Sequence, residues 1–336
     1  MKSYYIGDGV GLDGLTLIDR PEPNAAPGRV VVRMRAFSLN FRDLEIVHGR
    51  FGPQTPRHMV PVSDGVGEVV AVGEGVTRFS VGDRVSGNFM QEWVDGAFDI
   101  GIHNSALGGP IDGVLAEYVA FPEHSLVKVP AYLTDEEAAT LPCAAVTVWN
   151  ALFAGGNARP GQTIVIQGTG GVSIFALQFA KLAGLKTIVT SSSDAKLARV
   201  VTMGADAVIN YRTTPDWDHE VLTLTDGRGA DIVLDVSGED TIARSINAAR
   251  SLGDVPIVGF LSGKSFTASL MPLLLKNVIV RGVSVGSRRM FEQMNEAISH
   301  HELHPVIDRV FEFEEARAAY EYLESGKHFG KVVIRA

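Results

Sequence analysis

Thr163-Ile164-Val165-Ile166-Gln167-Gly168-Thr169-Gly170-Gly171-Val172-Ser173 decides the fold of this chain. A run of β-branched apolar residues ends in a glycine cluster, and a helical pattern begins at once, running from Ile174 to Ala183 with Gly184 as the stop. Val172, Phe175, Phe179 and Leu182 share one face at helical spacing. The stretch therefore reads as strand, tight glycine turn and helix N-terminus, the geometry that receives a dinucleotide pyrophosphate. Gly168, Gly170 and Gly171 permit the turn and a close backbone approach, while Thr169 and Val172 complete the cradle. The helix end adds unpaired N–H groups and a partial positive charge.

Working outward, Lys186-Thr187-Ile188-Val189-Thr190 follows as a second strand and ends about where a cofactor ribose would lie. One position departs from the usual fingerprint: Ser173 stands where Gly or Ala normally closes it. Strand and helix continue to alternate, with strands over Ala207–Asn210, Asp231–Val236, Val255–Leu261 and Val278–Val285. Such alternation implies a doubly wound parallel sheet.

Upstream, residues 1 to about 128 read as mostly β. Arg29 to Phe37 alternates, Gly65 to Gly73 is a second strand, Val81 to Val85 a short third, and 115–130 returns to strand-like segments. The stretch from Gly101 to Gly113 is glycine-rich and irregular. Leu133 to Glu137 looks like an acidic helix start, and a second apolar helix covers Ala144–Leu152. Two helices (Phe291–His300 and Phe313–Glu324) and the strand Lys331–Arg335 close the chain; lacking a sheet of their own, they are expected to pack on the first domain.

Composition sets the class. With 336 residues the chain is long enough for two cores, and 46% hydrophobic with 21% charged residues is a globular composition. A net charge of −9 argues against a nucleic-acid or anionic-membrane surface. No apolar run is long enough to span a bilayer and the first residues carry no signal core, so the expectation is a cytoplasmic enzyme. The single cysteine, Cys143, excludes an intrachain disulfide and a cysteine-cluster zinc site.

Together these features resemble the zinc-independent branch of the medium-chain dehydrogenase/reductase superfamily. The carriers are Leu39-Asn40-Phe41-Arg42-Asp43-Leu44, Asp64-Gly65-Val66-Gly67-Glu68-Val69, Val81-Gly82-Asp83-Arg84-Val85, Gly168 to Val172, Gly204-Ala205-Asp206 with Ile209-Asn210-Tyr211, and the ending Gly330-Lys331-Val332-Val333-Ile334. Leu39–Leu44 is similar to enoyl reductase domains, and quinone oxidoreductases are near in pattern. The resemblance implies an α/β protein: a GroES-like, mostly-β substrate domain over 1–128 completed by 287–336, a Rossmann dinucleotide-binding domain over 129–286, and a cleft joining them. It also implies a homodimer paired through the edge run Asn277–Val285, whose β-branched residues permit it.

By the same resemblance, the three ligand positions of zinc-dependent members fall on Asn40, Ser63 and Cys143, of which only the last is a good zinc ligand. Asp43 and Asp64 fall on outer carboxylate positions. No cysteine lies in 88–113, and His48, His103 and His124 are isolated. The expectation is no metal and hence no Lewis acid. Hydride transfer to an activated C=C needs less help, because the charge develops on an enolate oxygen that a few hydrogen-bond donors can stabilise. Asn40 and Arg42 are candidate donors; Asp43 and Asp64 are candidate acids, although an Asp beside Arg42 is also an ordinary ion pair. Cys143 is either a packing thiol or a reactive one. Many quinone oxidoreductases carry a tyrosine where this chain has Glu45, a departure from that reading.

NAD enzymes place Asp or Glu at the end of the second strand. Here Ser191 holds that place, followed by Ser192 and Ser193, with Lys196 one turn on and Tyr211 at a position that closes over the adenosine phosphate in the family. Hydroxyls and an ammonium favour a 2′-phosphate, so NADPH is expected over NADH, with Asp194 a nearby charge of the wrong sign. Thr147 matches a position that contacts the nicotinamide in the family, and Val258, Phe260 and Val285 sit near the carboxyl ends of the last strands. The leading reading is an NADPH-dependent, metal-free reductase of α,β-unsaturated carbonyl compounds. The alternatives are a quinone reductase, a zinc-type alcohol dehydrogenase or carbonyl reductase, and an NADPH-binding protein without catalysis.

Overall fold

The computed structural model describes residues 1–51 and 58–336. Its chain divides into two units, Met1–Val146 with Gly286–Ala336, and Thr147–Val285. Thr147–Val285 is the α/β unit. Among the described residues its sheet is six-stranded and wholly parallel, in the order Ala207–Asn210, Lys186–Ser191, Thr163–Gln167, Ala230–Leu234, Ala249–Ile257, Ile279–Gly282. This is the doubly wound order of a dinucleotide-binding fold, with the Thr163–Gln167 strand at the switch point. Ile164, Val165 and Ile166 are completely buried, as a strand covered on both faces requires.

The helix Gly171–Leu182 buries Ile174, Phe175, Ala176, Leu177, Phe179 and Ala180. Phe175 and Phe179 lie on the expected face, but Leu182 is 42% exposed because the helix ends there. Two strands are shorter than their apolar runs. The run Val255–Leu261 leaves the sheet after Ile257, and Val278–Val285 is strand only over Ile279–Gly282. The chain bends away at the carboxyl ends, and Val285 adopts φ 54°. A β-branched residue in the left-handed region is strained, and that strain sits beside proposed nicotinamide contacts.

The other unit is built on Arg29–Leu39, which pairs antiparallel with Asp64–Val72, Tyr118–Pro122 and Lys331–Arg335. The closing residues thus do complete this unit's sheet, and Ile307–Glu312 extends it beyond Lys331–Arg335. The third short strand begins at Arg84, not Val81, because Gly82 at φ 93° makes a turn. The irregular 88–113 segment contains the 3-10 turn Ile100–Ser105 and buries Phe89, Met90 and Trp93.

The unit boundary lies later than residue 128. Residues 129–146 stay with the β unit because their side chains are bound there. Thr134 and Glu137 close a capping box on the helix Asp135–Ala138. Asp135 pairs with Arg84 at 2.7 Å, Glu136 with Arg335 at 2.9 Å, and Glu137 with His304 at 2.8 Å. The expected helix over Ala144–Leu152 is a short α-helical piece, Val146–Trp149, flanked by π-helical turns Leu141–Ala145 and Asn150–Ala154. Such turns gather at functional sites.

Two glycines separate tolerance from necessity. A Cβ at Gly113 would lie 2.2 Å from the Val62 carbonyl oxygen and 2.4 Å from that of Pro61. Gly113→Ala is expected to cost about 1–3 kcal/mol in denaturant unfolding, whereas Gly7→Ala, which meets nothing within 4 Å, is expected to change stability by less than about 0.5 kcal/mol. Equal unfolding midpoints for the two variants would refute this account of the Pro61–Val62 turn.

Candidate active site

In the β unit the chain leaves the Arg29–Leu39 strand at Asn40, which is extended (φ −126°) and begins the helix Phe41–Val47. Asp43, three residues on, accepts from the Asn40 backbone N–H at 2.8 Å, satisfying a helix-end donor. Asp43 also takes Arg42 Nη1 at 3.2 Å, and Arg42 donates to the Leu107 carbonyl at 3.0 Å. The guanidinium lies over Phe89 and Phe51, with ring centroids 4.8 and 5.5 Å away. Gly109 leaves it room, since a Cβ there would come within 2.6 Å of Nη2.

Asp64 heads the adjacent strand and is fully buried. One carboxylate oxygen accepts Ser63 Oγ at 2.6 Å and the other the Cys143 backbone N–H at 3.1 Å. Lys331, from the last strand, completes the cluster. It is 3% exposed and donates to Leu39 O at 2.8 Å and to Asn40 Oδ1 at 2.6 Å. The sequence reading had quoted Lys331 only as part of the ending motif. Its signal is a lysine opening a strand whose next three residues, Val332, Val333 and Ile334, are apolar and buried.

Asn40, Arg42, Asp43 and Asp64 are therefore brought together, and buried. Burial is the main cause of each charge shift. It raises Asp43 to about 6, against the pull of the Arg42 guanidinium and with the push of Asp64. It raises Asp64 too, an effect countered chiefly by the Lys331 ammonium. It lowers Lys331, which Asp64 supports, and drives the Cys143 thiol far up, with Asp64 adding to the rise. Cys143 is accordingly a protonated thiol at neutral pH.

A raised carboxyl binds its proton more tightly in the folded chain than in the unfolded one. Its stabilisation is complete below pH 3.8 and is lost as pH rises through about 6. Asp43 alone is expected to make the protein less stable at pH 8 than at pH 5 by roughly 1–2 kcal/mol. Asp43→Asn should flatten that part of the profile in thermal or urea unfolding; an unchanged slope would assign the titration elsewhere.

As a zinc site the donor set is poor. The amide oxygen of Asn40 is taken by an ammonium, Ser63 is a neutral hydroxyl bound to Asp64, and the Cys143 thiol holds its proton. Among the described residues no group of three or more His, Cys, Asp or Glu is placed to hold an ion. His48 pairs with Glu324 at 2.9 Å, His124 with Glu92 at 3.2 Å, and His103 packs on Phe98. Glu45 is buried and paired with Arg50 at 3.1 Å.

The α/β unit gathers the expected cofactor positions separately. Gly168 adopts φ 75°, and the first bond inside the following helix runs from Ile174 N to Gly170 O, so the amides before it have no partner within the helix. Ser173 Oγ donates to Gln167 O at 2.6 Å, which explains a hydroxyl where Gly or Ala is usual: it ties helix to strand. Gln167 Nε2 reaches Asp235 at 3.1 Å and Ser245 at 2.8 Å. Asp235, completely buried, also takes the backbone N–H groups of Ser237 and Gly238, so it fixes the ends of two neighbouring strands. Sequence alone did not single out this lock.

At the end of the second strand, Ser191 accepts from Ser193 N at 3.3 Å, and Ser193 Oγ takes Lys196 N at 3.4 Å, seating Lys196 in the first turn of the helix Asp194–Thr202. Tyr211 N binds Ser191 O at 3.1 Å, which brings the exposed Tyr211 to the same edge as Ser191 and Ser192. Asp194 is held by Asn210 Nδ2 at 2.6 Å. Thr147 is buried, Val258 N bonds Asp235 O at 2.9 Å, Phe260 lies under Lys264, and Val285 O accepts Asn150 Nδ2 at 2.7 Å. These residues suit a nicotinamide dinucleotide: a glycine turn, a free helix end and no carboxylate at Ser191.

Comparison with known proteins places the chain. Residues 26–131 match the alcohol dehydrogenase GroES-like domain family, and residues 171–300 match the zinc-binding dehydrogenase family. A zinc-type alcohol dehydrogenase-like protein of Schizosaccharomyces pombe is 44% identical over 316 residues, 92% of this chain and 91% of that one. The solved structure of an NAD-dependent alcohol dehydrogenase is 32% identical, with TM-score 0.90 over 100% of both chains. A quinone oxidoreductase of Pseudomonas syringae pv. Tomato DC3000 is 29% identical, with TM-score 0.83 over 100% of this chain and 99% of that one. No helix among the described residues is long and apolar enough to cross a membrane. With a Rossmann sheet, a GroES-like unit and relatives along nearly its whole length, the chain belongs to the medium-chain dehydrogenase/reductase superfamily of oxidoreductases.

Proposed function

We propose that the protein is an NADPH-dependent, metal-free reductase of α,β-unsaturated carbonyl compounds. The observation that carries this reading is Asn40. Its amide oxygen is bound to Lys331, while its buried Nδ2 makes no hydrogen bond of full geometry among the described residues and has only the Asp64 carboxylate beside it. A buried donor so poorly engaged is costly, and a substrate oxygen that gains negative charge would satisfy it. NADPH, held at the glycine turn, would supply a hydride for the β-carbon of the substrate. Asn40 holds the oxygen on which the enolate charge collects, with Arg42 close by, and a proton added at the α-carbon completes the reduction. Asp43, raised to about 6, is the acid of the cluster best matched to neutral pH.

The donor set at Asn40, Ser63 and Cys143 supports a reaction without zinc. Ser191 and Lys196, with Asp194 engaged by Asn210, support NADPH over NADH. A second reading, alcohol or carbonyl interconversion, is favoured by the alcohol dehydrogenases among the similar proteins, one of which is named NAD-dependent. Chelator-treated enzyme should oxidise NADPH with enones, giving saturated products, and should use NADH poorly. Turnover of aldehydes alone, abolished by chelation, would overturn the proposal.

The oligomer belongs to this proposal as well. Ile279–Gly282 is an edge strand, and beside it the helix Leu270–Lys276 buries none of its residues, with Leu270, Met271, Leu274 and Leu275 more than half exposed. An apolar edge of that kind suits pairing with a second copy.

A further inference from the structure

Lys331 opens the strand Lys331–Arg335, whose next residue, Val332, pairs with Leu39. The ammonium therefore lies where the Arg29–Leu39 strand turns into the Asn40 helix start. A buried ammonium persists only when its donors and its charge are matched. Leu39 O and Asn40 Oδ1 take two of its protons, and the carboxylates of Asp64 and Asp43 answer its charge. Two buried cations, Lys331 and Arg42, thus face two buried carboxyls.

The chemistry of the pair sets the orientation of Asn40. An ammonium can only donate, so the group it meets at 2.6 Å must be the amide oxygen, and the nitrogen must occupy the other branch. No other contact fixes the amide as firmly, because the backbone N–H of Asn40 is spent on Asp43, and Nδ2, beside the Asp64 carboxylate, makes no hydrogen bond of full geometry among the described residues. We propose that Lys331 is the positioning residue of the site: it locks the Asn40 amide by its oxygen and so leaves Nδ2 as the side chain's donor to a substrate oxygen. This inference rests on the reading of Asn40 as the oxygen-binding group.

A double-mutant cycle on the chelator-treated enzyme tests it, using Asn40→Ala, Lys331→Met, both together, and Lys331→Arg. Lys331→Met is expected to lower kcat by about tenfold or more with the NADPH dissociation constant unchanged. Added to Asn40→Ala it should cost little further, because the group it positions is already gone. Lys331→Arg, another pure donor with a fixed charge, should recover part of the rate. Losses that simply multiply, with Lys331→Arg no better than Lys331→Met, would overturn the inference. If Lys331→Met does not fold, Lys331→Gln, whose amide can accept as well as donate and so does not fix the Asn40 orientation, replaces it in the cycle, with the same two outcomes. If the wild type reduces no enone, the functional reading fails, and the cycle is run on whichever quinone or aldehyde is turned over. Coupled losses there uphold the role of Lys331, and multiplying losses refute it.

Discussion

Asn40→Ala is expected to lower kcat for enone reduction by about a hundredfold to a thousandfold, the loss that follows removal of one oxyanion donor. The expectation rests on a donor that is already oriented and already desolvated. Asn40 is 9% exposed and its Nδ2 makes no hydrogen bond of full geometry among the described residues, so little water need be stripped from it during the reaction. In bulk solvent the same amide would gain little, because water would compete for the developing charge. Asn40→Asp sharpens the test. It keeps size and shape but exchanges the donor for a third carboxylate oxygen pair beside Asp43 and Asp64, so its rate should fall at least as far. Cofactor affinity, read from NADPH fluorescence, should stay within about twofold for both variants, since the Asn40 side chain is tied to Lys331 in the β unit. A loss below threefold in kcat would remove Asn40 from the chemistry.

Ser191→Asp is expected to reverse the choice of cofactor, with kcat/KM for NADPH falling by about a hundredfold relative to NADH. Ser191 ends the second strand with its hydroxyl toward the Ser193 backbone, and Lys196 follows in the first helical turn. A carboxylate there would meet a 2′-phosphate as a like charge and a ribose diol as an acceptor. A difference of about 3 kcal/mol between those two situations is that hundredfold. Lys196→Ala should move the preference the same way by about tenfold, a single partly exposed charge being worth less than a carboxylate in contact. If Ser191→Asp leaves the ratio of the two cofactors unchanged, the phosphate subsite lies elsewhere.

Glycine, periodicity and β-branching are local signals, so the α/β unit was legible. Gly168 at φ 75° and the parallel Thr163–Gln167 strand stand where the pattern put them. The clustering of Asn40, Arg42, Asp43 and Asp64 was legible through motif, since three of the four lie within four residues. Ends of elements were harder. The apolar run Val278–Val285 does not show that pairing stops at Gly282, because the ladder depends on its partner Ala249–Ile257 rather than on hydrophobicity. Residues 129–146 read as the start of the α/β unit, yet Asp135, Glu136 and Glu137 are held by Arg84, Arg335 and His304 of the β unit.

The sequence by itself determined the plan of a mostly-β part followed by a doubly wound α/β part, the dinucleotide turn, the missing acid at Ser191 and the poor ligand set for zinc, because each is a matter of which residue stands at which spacing. Only the tertiary structure decided how those residues are used. Lys331 is 291 positions from Asn40, and the bond joining them exists because a last strand docks antiparallel on an early one. The same docking buries the cluster, and burial is what raises Asp43 and Asp64 and holds the proton on Cys143. Charge and hydrogen-bond strength depend on distance and dielectric, which are properties of the packed chain and have no local signature along it.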